Sequence, residues 1–307
     1  MRIEYDGRNR RTKGLASFLA IIGAVILLVM CGFGCSTQCE NESNNPYFVE
    51  GVCPQEKVND YDWGALSKLS SAISDAPDYD FALNIARLYN LVNSDLKLDG
   101  TQTKDVALNN QMITKVMIIG FRQDVANADD TGLPEDSSEL GITFMFQDAL
   151  QEKGLNIVGD GFNDEILTLG EGAITSGSIF FSWLPIDLKQ AIKAANKDYG
   201  DGLPHKVSLW VLSYEEITGI RPQLEGNEKE ISADSLVQYK LFQDMNIDAN
   251  GTNEILKMSF EGSPCPWWER SIANRVEGSC FAVSVDGNPS LTESSKERLG
   301  VVPAFCI

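Results

Sequence analysis

Histidine and positive charge are both scarce in this sequence. His205 is the only histidine among 307 residues, so a histidine-based metal site or a Ser-His or Cys-His catalytic pair would depend on one side chain. Lysine and arginine number 25 against 44 aspartates and glutamates, which gives a formal net charge of -19. Because phosphate binding needs clustered basic side chains, this balance argues against a nucleic-acid partner. It fits neutral glycans, other proteins or cations as partners, or simply the solubility of an exported domain.

No motif of a catalytic, metal or cofactor site is complete. The nearest is a loop with Asn246, Asp248, Asn250 and Gly251, which resembles the start of an EF-hand calcium loop. The twelfth position of that loop is Lys257, where a calcium site needs a bidentate glutamate. We interpret the segment as a polar loop, with a weak nonstandard calcium site as the alternative. We therefore predict no catalytic residue, no metal and no cofactor.

Residues 15–34 contain a long apolar run. No side chain from Leu15 to Phe33 is charged, and at about 1.5 Å per residue the run covers a hydrocarbon core of about 30 Å. The tail before it, residues 1–14, carries five basic side chains, whereas the first charge after it is Glu40. By the positive-inside rule the tail is cytoplasmic and the remainder is exported. We predict a single-pass transmembrane signal anchor over residues 15–34, with the C-terminal part extracellular.

Two other fates of this segment stay open. Gly34 is the small residue that a bacterial lipoprotein needs before a lipidated cysteine, here Cys35, although the usual leucine three places earlier is missing. Lys13-Gly14 looks like a prepilin cleavage site, which would release a pilin-like subunit of a surface appendage starting at Leu15. The acidic residue that pilins place shortly inside the helix is absent. A retained anchor in the cell membrane is our first expectation.

Residues 35–60 are polar, without a periodic apolar pattern, and are predicted to be an extracellular linker. The segment holds Cys35, Cys39 and Cys53, which are disulfide candidates because exported chains favour oxidation, and Cys39 with Cys53 would close a small loop. The spacing of these cysteines, without histidine, is poor for zinc.

Residues 61–307 are predicted to be one globular domain. Apolar residues recur at helical spacing in some segments, and compact β-branched and aromatic runs favour strands in others. Ser213 and Glu216 have the spacing of a capping box, which predicts a helix start. The predicted helices are 62–73, 81–92, a two-part stretch over 178–197 and 236–245; the predicted strands are 113–121, one starting at 141, 207–212 and 281–285, the last followed by an Asp286-Gly287 turn.

The C-terminal residues resemble a bacterial family of exported domains of unknown function. Members of that family look like W-W-x-R-S, then F-C-x-V-x-x-D-G, then G-V-x-x-x-F-C-I at the chain end. The corresponding segments here are 267–271, 280–287, which begins Cys-Phe instead of Phe-Cys, and 300–307, and shorter upstream matches occur in the same order at 116–121, 141–146, 184–189 and 209–213. The resemblance covers roughly residues 61–307. Cys265 is a departure, because no cysteine is expected just before the paired tryptophans.

The resemblance implies a fold similar to C-type-lectin-like and formylglycine-generating-enzyme-like domains. That fold is an α+β domain with a mixed sheet, flanking helices and long loops, whose last strand returns to pair near the first. The resemblance also implies a disulfide between Cys280 and Cys306. Cys265 would then pair with Cys35 or stay unpaired.

The candidate ligand-binding residues are Trp268 and Arg270. Neighbouring residues of a strand point to opposite faces, so we expect one of Trp267 and Trp268 to be buried and the other exposed. An alternative is that Arg270 simply pairs with a carboxylate. We predict a membrane-anchored extracellular binding or adhesion module for a glycan or protein ligand. A copper-dependent oxidase of the formylglycine-generating type, using Cys265 and Cys280, is a less favoured alternative.

Overall fold

The computed structural model describes residues 45–126, 139–153, 157–158, 161–162, 179–198, 204–221, 238–274, 277–294 and 296–307. The chain divides into two compact units, Met1–Phe48 and Val49–Ile307. The predicted tail 1–14, the predicted anchor 15–34 and Cys39 lie outside the described residues. In the part of the chain that the structure does describe, no helix has the length and hydropathy of a membrane span.

The second unit begins before the predicted domain start at Tyr61. Val52 and Val58 are both buried, and the Tyr89 hydroxyl accepts a hydrogen bond of 2.7 Å from the backbone N–H of Val49. Residues 49–60, expected to be linker, therefore pack as part of the domain. Their apolar side chains are too few to show a period, so the sequence pattern does not reveal this packing.

Two amphipathic helices open the domain, close to where the sequence predicts them. Helix α1 spans Trp63–Ser74 and helix α2 spans Tyr79–Leu88. Each begins after an aspartate whose side chain accepts a backbone N–H of the first turn, Asp62 in α1 at 2.6 Å and Asp78 in α2 at 2.7 Å. Such a cap satisfies one of the N–H groups that a helix start leaves unpaired.

One five-stranded sheet contributes many buried apolar side chains to the core. Its strands are β1 Thr103–Ala107, β2 Ile113–Val125, β3 Glu139–Phe146, β9 Trp210–Val211 and β16 Pro303–Cys306. The order is β1-β2-β3-β16-β9, and every neighbouring pair is antiparallel. The last strand therefore lies inside the sheet, separated from the first strand by β2 and β3.

A second five-stranded sheet is mixed. Its strands are β4 Gln151–Lys153, β12 Trp267–Asn274, β13 Ser279–Val283, β14 Leu291–Ser294 and β15 Leu299–Val301. The order is β14-β13-β12-β15-β4, with β12 and β15 parallel and the other pairs antiparallel. Together with the helices, the two sheets make the domain an α+β fold.

The remaining elements are short. They include three two-stranded ribbons that pair β5 with β6, β7 with β8 and β10 with β11. The bounds are β5 Ile157–Val158, β6 Gly161–Phe162, β7 Ala195–Asp198, β8 Pro204–Val207, β10 Met258–Phe260, β11 Ser263–Cys265, α3 Ile179–Trp183, α4 Ile186–Ala191, α5 Tyr214–Thr218, α6 Lys240–Asp244, and 3₁₀ turns at Val58–Asp60 and Glu254–Leu256.

The helical prediction for 178–197 is right at its start and wrong at its end. The pattern gives two short helices on either side of Pro185, but Ala195 begins strand β7 instead of a further helical turn. The Ala195 backbone pairs with Val207 in β8 and bridges Ala126 after β2. Pairing partners distant in sequence thus override the local helical pattern.

Helix α1 lies directly against the centre of the first sheet. A Cβ atom on Gly141 would stand 1.8 Å from the Ser70 carbonyl oxygen, so only glycine permits this approach. The Ser70 hydroxyl donates to the carbonyl oxygen of Ile307 and accepts the N–H of Ile142 at 2.9 Å. Ile307 is fully buried. The end of the chain is therefore part of the core and is fixed by both a helix and a strand.

Candidate functional site

The predicted binding residues Trp268 and Arg270 are both buried. Trp267 and Trp268 expose none of their surface and Arg270 exposes 3%, so the expectation of one exposed tryptophan is wrong. Strand β12 is an inner strand that is covered on both sides. The indole N–H of Trp267 donates to the Leu256 carbonyl oxygen in a 3₁₀ turn at 2.8 Å, and the Arg270 guanidinium donates to the Val211 carbonyl oxygen at 2.9 Å.

Arg270 instead forms a buried two-point ion pair with Glu216. Its two terminal nitrogens lie 2.5 and 2.8 Å from the two carboxylate oxygens. The capping box predicted for Ser213 and Glu216 is present, and it fixes this carboxylate at the start of α5. Burial alone would raise the pKa of Glu216, but Arg270 and Lys197 outweigh burial and lower that pKa to about 2. The alternative reading of Arg270 as a carboxylate partner is therefore confirmed.

Lys197 extends the pair into a four-charge ionic cluster of Asp124, Lys197, Glu216 and Arg270. The Lys197 ammonium donates to Asp124, to Glu216 at 2.7 Å and to the Tyr239 hydroxyl at 2.9 Å. Burial opposes its charge, but the two carboxylates prevail and raise the pKa of Lys197. Each cluster member exposes at most 6% of its surface.

The ionic cluster joins elements from across the domain. Its members come from β2, β7, α5 and β12, and therefore from both five-stranded sheets. Two acids and two bases leave it neutral, which offsets the cost of burying each charge. The four charged groups therefore form ion pairs with one another inside the protein. The sequence gives no sign of the cluster, because its members are far apart along the chain.

The predicted Cys280–Cys306 disulfide is not formed. Both residues are buried free thiols, and they lie on β13 and β16, which belong to different sheets. The Cys306 thiol donates to Asp124 at 3.3 Å, while burial and that carboxylate raise the pKa of Cys306 well above its usual value. Burial and the nearby Glu269 raise the pKa of Cys280 to about 12. Neither group has the exposed, low-pKa character of a reactive cysteine.

Two further cysteines, Cys53 and Cys265, lie in the described residues. Cys53 is disulfide-bonded, as predicted for this residue; its predicted partner Cys39 lies outside the described residues. Cys265 is a buried cysteine at the end of β11.

The loop that resembles a calcium site is held by its own hydrogen bonds. The Asp248 carboxylate accepts the N–H of Asn250 at 2.8 Å, and Asn253 caps the following 3₁₀ turn by accepting the N–H of Ile255 at 3.0 Å. Within the described ranges, no three acidic, cysteine or histidine side chains gather in a way that could hold a metal ion.

Glu269 is a buried acid in the middle of β12. It is fully buried, and neither carboxylate oxygen hydrogen-bonds to any group in the described part of the chain. Burial and the neighbouring Glu215 raise the pKa of Glu269 well above its usual value, and Arg270 only partly opposes them. The neutral, protonated acid is the form that this site favours.

An open cleft of about 380 Å³ lies on the surface of the domain. It forms where the β1–β2 hairpin and the end of β3 meet the 3₁₀ turn at Glu254–Leu256 and the start of β10. Ile113 is 75% exposed at this cleft. Its lining combines aliphatic and charged side chains: Asp105, Ile113, Thr114, Lys115, Met117, Gln147, Asp148, Glu254, Ile255, Lys257 and Met258. The volume is within the usual range for ligand pockets, at its lower end.

The charged groups of the cleft differ in their partners. Lys257 lies 2.5 Å from Glu254, and Lys115 lies 4.0 Å from Asp105. Asp148 accepts hydrogen bonds from Thr114 at 3.0 Å and from Ser259 at 2.8 Å. These hydroxyls fix the Asp148 carboxylate without neutralising it. Sequence reasoning did not find this site, because its lining comes from four separate segments and matches no motif.

Comparison of the chain with known protein families, with curated proteins and with solved structures finds no match.

Proposed function

We propose that this chain is a membrane-anchored, exported binding module whose α+β domain holds a ligand in the surface cleft. The observation that carries this proposal is the contrast between the two groups of charges. The ionic cluster is sealed inside the domain, whereas the cleft is open and combines charged groups with exposed aliphatic surface. Such a combination of apolar contact and a few oriented polar groups is typical of ligand sites.

Export is supported by two features. The apolar run at 15–34 has the length and basic flank of a signal anchor, and the disulfide at Cys53 fits an oxidising compartment. A lectin-like relationship rests on the C-terminal motif resemblance. It supports recognition of a glycan or a protein, but the binding surface we propose is the cleft and not Trp268 and Arg270.

Two measurements test the proposal. Mass spectrometry of the mature N-terminus distinguishes an intact Met1, expected for the anchor, from a start at Leu15 in a pilin-like subunit or a lipidated Cys35. Protease treatment of intact cells should digest the domain if it is extracellular; full protection of the domain would contradict export.

Ligand binding is tested with the detergent-solubilised full chain on glycan and peptide arrays. Asp148→Asn and Ile113→Ser change cleft residues and should weaken the hits of the wild-type protein. Arg87→Ala, on helix α2 outside the cleft, should leave them unchanged. Hits that survive both cleft changes would place the ligand elsewhere. Copper-dependent oxidase activity of the chain would contradict a purely binding role.

A further inference from the structure

We propose that the cleft binds a cationic side chain with an aliphatic stem, the lysine or arginine of a peptide, and that Asp148 is its anionic partner. This inference rests on the proposed binding function and names the chemistry of the ligand for the same cleft. It follows from the charges of the lining, from its aliphatic surface and from the charge of the whole chain.

Asp148 is the carboxylate of the cleft that remains available. Glu254 and Asp105 each face a lysine, whereas in the described part of the chain no lysine or arginine lies within ion-pair distance of Asp148. Thr114 and Ser259 each donate one hydrogen bond to it. A carboxylate can accept about four hydrogen bonds in all. Two acceptor positions of an oriented anion therefore remain for a ligand, and a charged donor makes the stronger bond.

The aliphatic lining fits the stem of a long basic side chain. Ile113 and Ile255 contribute accessible methyl and methylene surface to the cleft, and Met117 and Met258 line it from buried positions. Lysine and arginine place their methylene groups on apolar surface while the charged head reaches a polar group. A saccharide would gain less from this lining, since it presents hydroxyl groups along its whole length.

The charge of the chain favours the same ligand. A net charge of -19 attracts cations over distances comparable to the Debye length and raises the rate at which they meet the surface. Two lysines at the cleft make a multiply charged cation less suitable than one with a single positive group. The occupant that best satisfies both conditions is one basic side chain of a peptide.

The experiment is a titration of the solubilised full chain with N-acetyl-arginine amide and N-acetyl-lysine amide. The matched uncharged probes are N-acetyl-citrulline amide and N-acetyl-norleucine amide. We expect calorimetry to detect the charged probes, with affinity about tenfold or more above that of the uncharged ones, because a hydrogen bond to a charged group is stronger than a neutral one. Raising the salt concentration should weaken binding of the charged probes.

Variants locate the effect. Asp148→Asn should reduce affinity for the arginine probe about tenfold or more, and Ile113→Ser should weaken both probes of a pair. Asp95→Asn changes an exposed aspartate outside the cleft and should leave the affinity for every probe unchanged. Equal binding of arginine and citrulline probes, unchanged affinity in Asp148→Asn, or no binding of any probe would each overturn the inference. Array hits on neutral glycans that depend on Asp148 and Ile113 would keep the binding function while overturning the cationic ligand.

Discussion

The buried acid Glu269 provides a quantitative test of the structure, through the change Glu269→Gln. Glutamine keeps the shape of the side chain and cannot ionise. In the folded protein, burial and the nearby Glu215 raise the pKa of Glu269 well above its usual value. In the unfolded chain, a glutamate has a pKa of about 4.3. The two states therefore hold different numbers of protons over a wide pH range.

The sign and size of the effect follow from this difference. Below about pH 4.3 the carboxyl group is protonated in both states, so the wild type and Glu269→Gln should have similar stability. Above that pH only the folded state retains the proton, and the free energy of unfolding of the wild type falls by about 1.4 kcal/mol per pH unit relative to the variant. The fall ends when pH reaches the folded-state pKa.

Urea denaturation of the solubilised full chain, followed by tryptophan fluorescence between pH 4 and 7, measures this difference. Most other titrating groups are shared by both proteins and cancel. Glu277→Gln removes an exposed glutamate and should track the wild type at every pH. A difference between wild type and Glu269→Gln that does not change with pH, or that favours the wild type as pH rises, would refute the buried neutral acid.

Further predictions concern the packing of the domain. Arg270→Met leaves a buried carboxylate without its main partner and should lower the free energy of unfolding by about 3–5 kcal/mol in urea; an unchanged midpoint would contradict the ion pair. Cys280 and Cys306 should resist a thiol reagent until the protein unfolds, because burial raises the pKa of both; a peptide that joins Cys280 to Cys306 by a disulfide in a non-reducing digest would contradict this. Gly141→Ala overpacks the contact with α1 and should cost about 1–3 kcal/mol or more. Gly64→Ala, inside α1 with only a side-chain oxygen 3.3 Å away, should gain up to about 1 kcal/mol, and thermal unfolding compares the two.

The C-terminal motif has the composition of a binding surface, although its residues are buried in the fold. A tryptophan pair followed by an arginine is a common composition for recognition sites. In this fold the same residues occupy an inner strand, and Arg270 joins α5 to the second sheet through Glu216. The residues of this motif therefore stabilise the fold, and the surface cleft is formed by other residues.

Local patterns in the sequence were sufficient for several elements. Helices α1 and α2, the strand beginning at Ile113 and the capping box at Ser213 all depend on residues close together in the chain. Their period, caps and β-branched content act over one or two turns, so they can be read directly. Strand β1 has no recognisable pattern in the sequence, because its five residues lie in a polar segment. Its strand structure depends on antiparallel pairing with β2.

The sequence by itself determined the acidic character, the apolar run at 15–34 and several single helices and strands, since composition and short-range period express these directly. The α+β fold was an expectation from the C-terminal resemblance. Only the tertiary structure decided that Trp268 and Arg270 are buried, that Cys280 and Cys306 lie on different sheets, and that separate segments form the cleft around Asp148. The physical reason is that burial and partner choice depend on contacts between residues far apart in the chain. A single sequence records the residues of such contacts without recording which of them meet.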